Sequence, residues 1–186
     1  MTRSVLILLA ALAVLPGCSK SQPPVEVREP DVAAIPTPPE VIDAMLDMAK
    51  IGPNDLLYDL GSGDGRIPIA AAKKYGIRAV GIDIDPQQIS QATENAKAAG
   101  VADRVSFRNA DLFGANISEA TVVTLFLLDT VNEKLRPKLL RELKPGTRIV
   151  SHAFRMGDWK PQASRDVGGS RIYMWTVPER PAEPAG

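Results

Sequence analysis

The chain has 186 residues, 45% apolar and 24% charged, with 22 Lys and Arg balancing 22 Asp and Glu. This is the composition of one globular domain with appendages, and it excludes a chain disordered throughout, a collagen-like chain or a coiled coil. The zero net charge lacks the basic excess of a protein held to nucleic acid by phosphate contacts, and one Cys with one His builds neither an internal disulfide nor a Cys/His zinc site.

The first 18 residues read as an export signal. Arg3 makes a positive start, and the apolar run Val5 to Leu15 is too short to span a bilayer comfortably. Leu15-Pro16-Gly17-Cys18 follows, with the chain's single cysteine. The segment resembles the lipobox of bacterial lipoproteins, with Pro16 where that pattern has Ala, Ser or Thr. The resemblance implies lipidation of Cys18 and anchoring to a membrane of the cell envelope, on the periplasmic or extracytoplasmic side. The alternatives are an uncleaved anchor or an ordinary signal, and a misread signal leaves the protein cytoplasmic. Residues 19–36 carry Pro23, Pro24, Pro30 and Pro36 among polar residues and read as an extended tether. Residues 37–177 form the folded body, and 178–186, with three more prolines, a frayed tail.

Within the body, Thr37-Pro38-Pro39-Glu40 predicts a helix start, with Thr37 as N-cap, Pro38 at N1 and Glu40 closing a capping box. Gly52-Pro53 ends that helix. A strand at 56–60 runs into the glycine turn 61–65, and an Ala-rich helix at 67–75 stops at Gly76. A strand at 78–84 precedes a helix capped by Asp85-Pro86 that ends at Gly100. Strands follow at 104–108 and 121–128, then a helix at 136–143 with Pro137 in its first turn, and strands at 147–152 and 171–177. Strand and helix alternate as in a doubly wound α/β fold with a mainly parallel sheet, where ligands sit at the carboxyl ends of the strands.

The segment Asp59-Leu60-Gly61-Ser62-Gly63-Asp64-Gly65 carries the chemistry. Glycines after a strand let the backbone turn tightly and approach a ligand, and the following helix favours an anion at its N-terminus. Asp83 ends the second strand, where a carboxylate can accept both hydroxyls of a ribose. Asp111 follows the third strand, placed to accept an adenine amine. Together these complement an adenosine with a charged tail. A dinucleotide turn would want a small residue at position 66, where this chain has Arg66, which argues against an NAD-type oxidoreductase.

The pattern is instead similar to motif I of class I S-adenosylmethionine (SAM) methyltransferases. Gly81-Ile82-Asp83-Ile84-Asp85-Pro86 matches their acidic second motif, Asn109-Ala110-Asp111-Leu112-Phe113 the third, and Leu143-Lys144-Pro145-Gly146-Thr147 the turn before strand five. The segments around 122–128, 135–140 and 148–152 further resemble the small protein-lysine methyltransferases of the ATP synthase c-subunit type and their bacterial relatives. The resemblance implies a Rossmann-like sheet of about seven strands with the last antiparallel, and SAM as cofactor. It implies that Asp59 with the backbone of Gly61, Ser62, Gly63 and Gly65 holds the methionine end, Asp83 the ribose, and Ile84, Asp111 and Leu112 the adenine. Asp64 and Asp85 read as helix caps.

Many family members grip a planar amide or base amine with Asn/Asp-Pro-Pro-Tyr after strand four. Phe126-Leu127-Leu128-Asp129 stands there instead, which argues against such acceptors and makes Phe126 an apolar wall and Asp129 a candidate polar group. His152 is a candidate base or a structural histidine. Trp159, Tyr173 and Trp175 are expected in core packing, and Lys134, Arg136, Lys138, Arg141 and Lys144 on a solvated helix face. The expectation is a monomeric SAM-dependent methyltransferase without metal or nucleic-acid partner, acting on an unknown acceptor such as a protein lysine. The rival is a non-catalytic exported nucleoside- or SAM-binding module that kept the fold.

Overall fold

The computed structural model describes residues 36–179. The expected signal with Cys18, the tether up to residue 35 and the tail from residue 180 lie outside the described residues. The elements are α1 (Pro39–Met48), β1 (Leu56–Leu60), α2 (Arg66–Tyr75), β2 (Arg78–Asp83), α3 (Pro86–Ala98), β3 (Val105–Asn109), β4 (Val122–Leu125), α4 (Asp129–Glu142), β5 (Arg148–His152), β6 (Ala163–Val167) and β7 (Ser170–Thr176). They form one seven-stranded sheet in the order β3-β2-β1-β4-β5-β7-β6. The first five strands pair in parallel, and β7 runs antiparallel to both β5 and β6.

Side-chain alternation along the strands divides the core in two. Leu57, Val122, Val150 and Ile172 face one side with Val41, Met45 and Leu46 of α1 and Ile67 and Ala71 of α2. Tyr58, Leu60, Ile82, Val123, Leu125, Ile149 and Trp175 face the other, with Leu135 and Leu139 of α4. Asp59, two residues after Leu57 and flanked by Tyr58 and Leu60 of the other layer, thereby points into the first layer beside apolar neighbours.

The main differences from the sequence reading fall at four elements. The capping box does not form: Pro38 is the N-cap of α1, with no side-chain hydrogen bond to the helix, and Thr37 turns inward. β4 stops at Leu125, and α4 begins at Asp129, so Pro137 lies inside the helix rather than in its first turn. Pro137 and Glu133, whose carbonyl loses its helical donor, are not buried, so water can replace the missing bond. β6, a polar edge strand, has no counterpart among the predicted elements. It joins β7 through Gly168-Gly169, both at positive φ (57° and 77°), in a two-residue hairpin.

At the amino ends of the strands, Arg148 clamps the end of α1. Its Nη1 donates to the carbonyls of Ala49 (2.8 Å) and Lys50 (2.9 Å), and its Nη2 pairs with Asp55. Asp55 also accepts from Gly52 N–H and the Thr121 hydroxyl, each at 2.7 Å. Among the described residues, no helix is long and apolar enough to cross a membrane, and no His/Cys/Asp/Glu group could hold a metal ion.

Candidate cofactor and acceptor site

β1 sits where the strand order reverses: β2 and β3 lie on one side of it and β4 on the other. Such a switch point leaves a crevice at the carboxyl ends of the strands. The turn 61–65 fills its floor. Gly61, Gly63 and Gly65 have φ of 82°, 50° and 79°, a region costly for residues with a Cβ. The amides of Gly61 and Ser62 both donate to the Ile82 carbonyl (2.8 and 3.0 Å), which ties the turn to β2. The Phe107 ring braces the turn from β3. A Cβ on Gly65 would stand 2.4 Å from its Cζ, and one on Gly81 2.5 Å from its Cδ1 and 2.6 Å from Ser62 Oγ. Neither Gly81 nor Phe107 is among the predicted site residues, although Gly81 lies in the second motif.

The three acids belong to three adjacent strand ends. Asp59 is 3% exposed, and its Oδ1 accepts the Thr124 hydroxyl at 2.7 Å. Burial pushes its carboxyl up to about 7, the Thr124 bond opposes this, and the charges of Asp83 and Asp64 add to it. Asp83 accepts from Gly63 N–H (Oδ2, 2.8 Å) and Asp85 N–H (Oδ1, 3.0 Å), linking the turn to the start of α3. Asn109 Nδ2 donates to the carbonyls of Asp83 (3.2 Å) and Ile84 (2.8 Å). Asp111 is exposed and caps its own turn through Phe113 N–H at 2.9 Å. Ile84 and Leu112 are half-buried. Asp85 caps α3 through Gln87 N–H at 2.8 Å, as the sequence predicts. Asp64 Oδ1 accepts the Arg66 N–H at the start of α2 (3.3 Å), and its carboxylate also forks onto the Arg66 side chain, at 2.9 Å to Nε and 2.6 Å to Nη2, while Arg66 Nη1 reaches the Thr37 carbonyl at 3.2 Å.

Beyond β4 and β5 lies a corner of rings. His152 is 3% exposed, its centroid 3.9 Å from that of Phe126. Its Nδ1 lies 3.2 Å from Thr37 Oγ1, and its Nε2 is buried with no hydrogen-bond partner. Phe154, absent from the sequence-based candidates, lies 5.9 Å from Phe126. Asp129, the predicted polar group, is exposed at the start of α4, and its Oδ1 accepts Arg155 N–H at 2.5 Å. It thus holds the chain after β5 to the start of α4. Trp175 is fully buried with Nε1 on the Trp159 carbonyl (2.8 Å), and Tyr173 packs beside it, so these aromatics serve the core as expected. Of the basic residues on and after α4, Lys138 is the exception to a solvated face: it is buried and paired with Glu142 at 2.8 Å.

A family model described as the ANTKMT methyltransferase domain matches residues 59–163. The chain belongs to this family. It is 50% identical over 155 residues to a protein-lysine N-methyltransferase of Saccharolobus islandicus, covering 81% of this chain and 96% of that one. It is 32% identical to the mouse adenine nucleotide translocase lysine N-methyltransferase, over 90% of this chain and 70% of the relative. To the human lysine N-methyltransferase of the ATP synthase c-subunit it is 34% identical over 64% of the chain, spanning about half that relative's length. Among solved structures, an RNA methyltransferase from Salinibacter ruber in complex with S-adenosylhomocysteine shares 57% identity and a TM-score of 0.77, over 80% of this chain and 98% of that one. The ANTKMT-family chain is thus a SAM-dependent methyltransferase of the class I fold.

The turn's residues fit that cofactor. Three glycines keep side chains off the crevice floor, α2 starts with no side-chain cap from its N-cap residue, and the buried Ser62 hydroxyl has no partner. The start of the helix and this hydroxyl offer donors for a carboxylate.

Proposed function

We propose that the protein transfers a methyl group from SAM to a lysine amine of a protein acceptor. The observation that carries this reading is the 50% identity to a protein-lysine methyltransferase over nearly that relative's whole length. The segment Phe126-Leu127-Leu128-Asp129 supports it, because it stands where other family members grip a planar amide or base amine with Asn/Asp-Pro-Pro-Tyr. The Salinibacter relative is named an RNA methyltransferase, so RNA enters the test as a competing acceptor.

Bound SAM supplies a methyl already activated by its sulfonium, so the chain's task is to bind and to orient. In this reading Asp59 faces the cofactor's ammonium, and the turn 61–65 with the start of α2 takes the carboxylate. Asp83 then exchanges backbone partners for ribose hydroxyls. Ile84 and Leu112 flank the adenine, with Asp111 at its edge. The anchoring at Cys18 belongs to the same proposal: a lipidated Cys18 and the tether keep the domain beside membrane proteins. Incorporation of labelled palmitate by the full chain, lost in Cys18→Ala, is the outcome this part requires.

The decisive experiment is calorimetric titration with SAM and NAD side by side. Micromolar SAM affinity, no NAD binding, and at least a tenfold loss in Asp83→Ala are expected. Labelled SAM is then offered with poly-L-lysine or with bulk RNA. Label in polylysine supports the reading, and label in RNA alone overturns the lysine assignment. Binding without turnover on either would favour the non-catalytic module.

A further inference from the structure

We infer that Phe126, Phe154 and His152 form the slot for the acceptor lysine, with His152 Nε2 receiving the amine's proton and Thr37 positioning the ring. The inference deepens the proposed lysine reading and rests on it.

Four observations converge on this corner. First, His152 Nε2 is one of three buried side-chain polar atoms without a partner among the described residues, with Ser62 Oγ and Asn132 Oδ1. Leaving a buried polar atom unmet forfeits its solvation with nothing in return, so each one asks for an explanation. Ser62 belongs to the glycine turn, Asn132 already uses its amide nitrogen on two carbonyls, and only His152 is a base. Second, the ring is held on two sides. Thr37 Oγ1 meets Nδ1 at 3.2 Å, and Arg66 anchors Thr37 in turn through its carbonyl. Phe126 covers a ring face, tilted 32°.

Third, the backbone directly after His152 is strained. Ala153 has φ 63°, and Phe154 N–H donates to the His152 carbonyl at 2.8 Å. A three-residue turn at positive φ is rare, and a non-glycine held there is strained. The turn folds Phe154 back toward Phe126, so that a second half-buried phenyl ring stands beside the one that covers the imidazole. Fourth, the register puts the group near the cofactor turn. Asp59 pairs with Thr124 and Thr124 with Val150, so Asp59, Thr124, Val150 and His152 share one face of the sheet at the carboxyl ends of β1, β4 and β5.

The chemistry follows from these groups. A lysine arrives as an ammonium, which has no lone pair to offer. Its aliphatic stem packs against the phenyl pair, whose rings also attract the cation. Nε2 takes one proton and becomes the imidazolium. The freed lone pair forms the N–CH3 bond as the S–CH3 bond breaks, with that bond's electrons staying on sulfur. The products are a methylammonium and S-adenosylhomocysteine, and the imidazolium returns its proton to water. Burial lowers the basicity of His152, which keeps the ring neutral and ready at neutral pH. The ionisable groups on the elements packed around it include Glu40, Asp43 and Asp47 of α1, Asp59 of β1, Arg66 of α2, Asp129 of α4, Arg148 of β5, Arg155 after it, and Arg171 and Tyr173 of β7. Among the described residues none of them hydrogen bonds the imidazole, so its titration is set mainly by burial.

Because the chain holds one histidine, imidazole NMR reads His152 alone. The test uses the full chain with S-adenosylhomocysteine bound and n-butylamine as the lysine probe. Butylamine is expected to move the His152 resonance in wild type, and the shift is expected to shrink in Phe126→Ala. With polylysine, His152→Gln should lower kcat at least a hundredfold while S-adenosylhomocysteine affinity changes less than threefold. The wild-type kcat should fall below the pKa that NMR gives for His152. Thr37→Val should lower kcat about tenfold with little change in KM, and Thr37→Ser should restore it. A His152 resonance indifferent to butylamine, or a His152→Gln enzyme with wild-type kcat, overturns the inference. Loss of S-adenosylhomocysteine binding in wild type would instead sink the cofactor assignment, and is read separately.

Discussion

Asp59 shows how one buried carboxylate can serve binding at the expense of folding. Its carboxyl is pushed up to about 7, first by burial, with Thr124 opposing and Asp83 and Asp64 adding to the shift. In the unfolded chain it titrates near 3.9. Below about pH 4 it is protonated in both states and contributes nothing. Between about pH 4 and 7 the unfolded chain releases the proton and the folded one keeps it, so stability falls as pH rises. Above pH 7 the full penalty, roughly 4 kcal/mol, is present. Asp59→Asn keeps an acceptor for Thr124 and cannot ionise. Thermal scans of the ligand-free variant should show a higher midpoint than wild type at pH 8 and nearly the same midpoint at pH 4. Calorimetry should show the opposite trade, with SAM affinity down at least tenfold because the charge facing the ammonium is gone. Equal midpoints at pH 8 would mean that the buried carboxylate carries no such penalty.

At the scale of elements, the glycine turn depends on a ring from another strand. Phe107 occupies the space that side chains at Gly65 and Gly81 would need. Gly81 has no unusual φ, so Gly81→Ala isolates the steric effect and should cost about 1–3 kcal/mol by overpacking. In the cycle with Phe107→Ala, urea unfolding should give a double mutant at least about 1 kcal/mol better than the sum of the singles. Additive losses would show that the ring does not brace the turn. The sequence exposed the turn itself, since Gly61, Gly63 and Gly65 follow an apolar strand, but not its support, because Phe107 looks like any strand residue. The same division holds elsewhere. Asp85-Pro86 announces α3 by local chemistry, and the cap forms as read. Pro137 signals a helix start, yet the packing of Leu135 and Leu139 carries α4 straight through it. β6 has little hydrophobic pattern because its residues are mostly exposed, and its real signal was the Gly-Gly hairpin that follows. Thr37 looks like a cap and instead meets a histidine 115 residues away. No local rule reaches a contact across that separation.

Across the whole molecule, β1 joins two ends with opposite tasks. At its carboxyl end Asp59 loses stability as pH rises. At its amino end Asp55 does the reverse. Burial alone would raise the Asp55 carboxyl, but Gly52 N–H, the Thr121 hydroxyl and Arg148 together hold it below the usual range. A depressed carboxylate stabilises the fold above about pH 4 and loses that contribution as pH falls through its folded value. Of these two terms, Asp55 makes stability rise with pH up to about pH 4, and Asp59 makes it fall from about pH 4 to 7. Arg148→Met separates the ends. It strips Asp55 of its cation and frees the carbonyls of Ala49 and Lys50, at a cost of about 2 kcal/mol, less than a fully buried pair because the guanidinium side chain keeps 23% exposure. The variant should unfold at lower urea at pH 7, and its loss of stability below pH 4 should be shallower than wild type. Its SAM affinity and its methylation of polylysine should stay within about twofold, because Arg148 lies at the opposite ends of the strands from the glycine turn. A large fall in affinity would show that the clamp on α1 is felt at Thr37, just ahead of that helix, and that the amino-end cluster helps shape the acceptor corner.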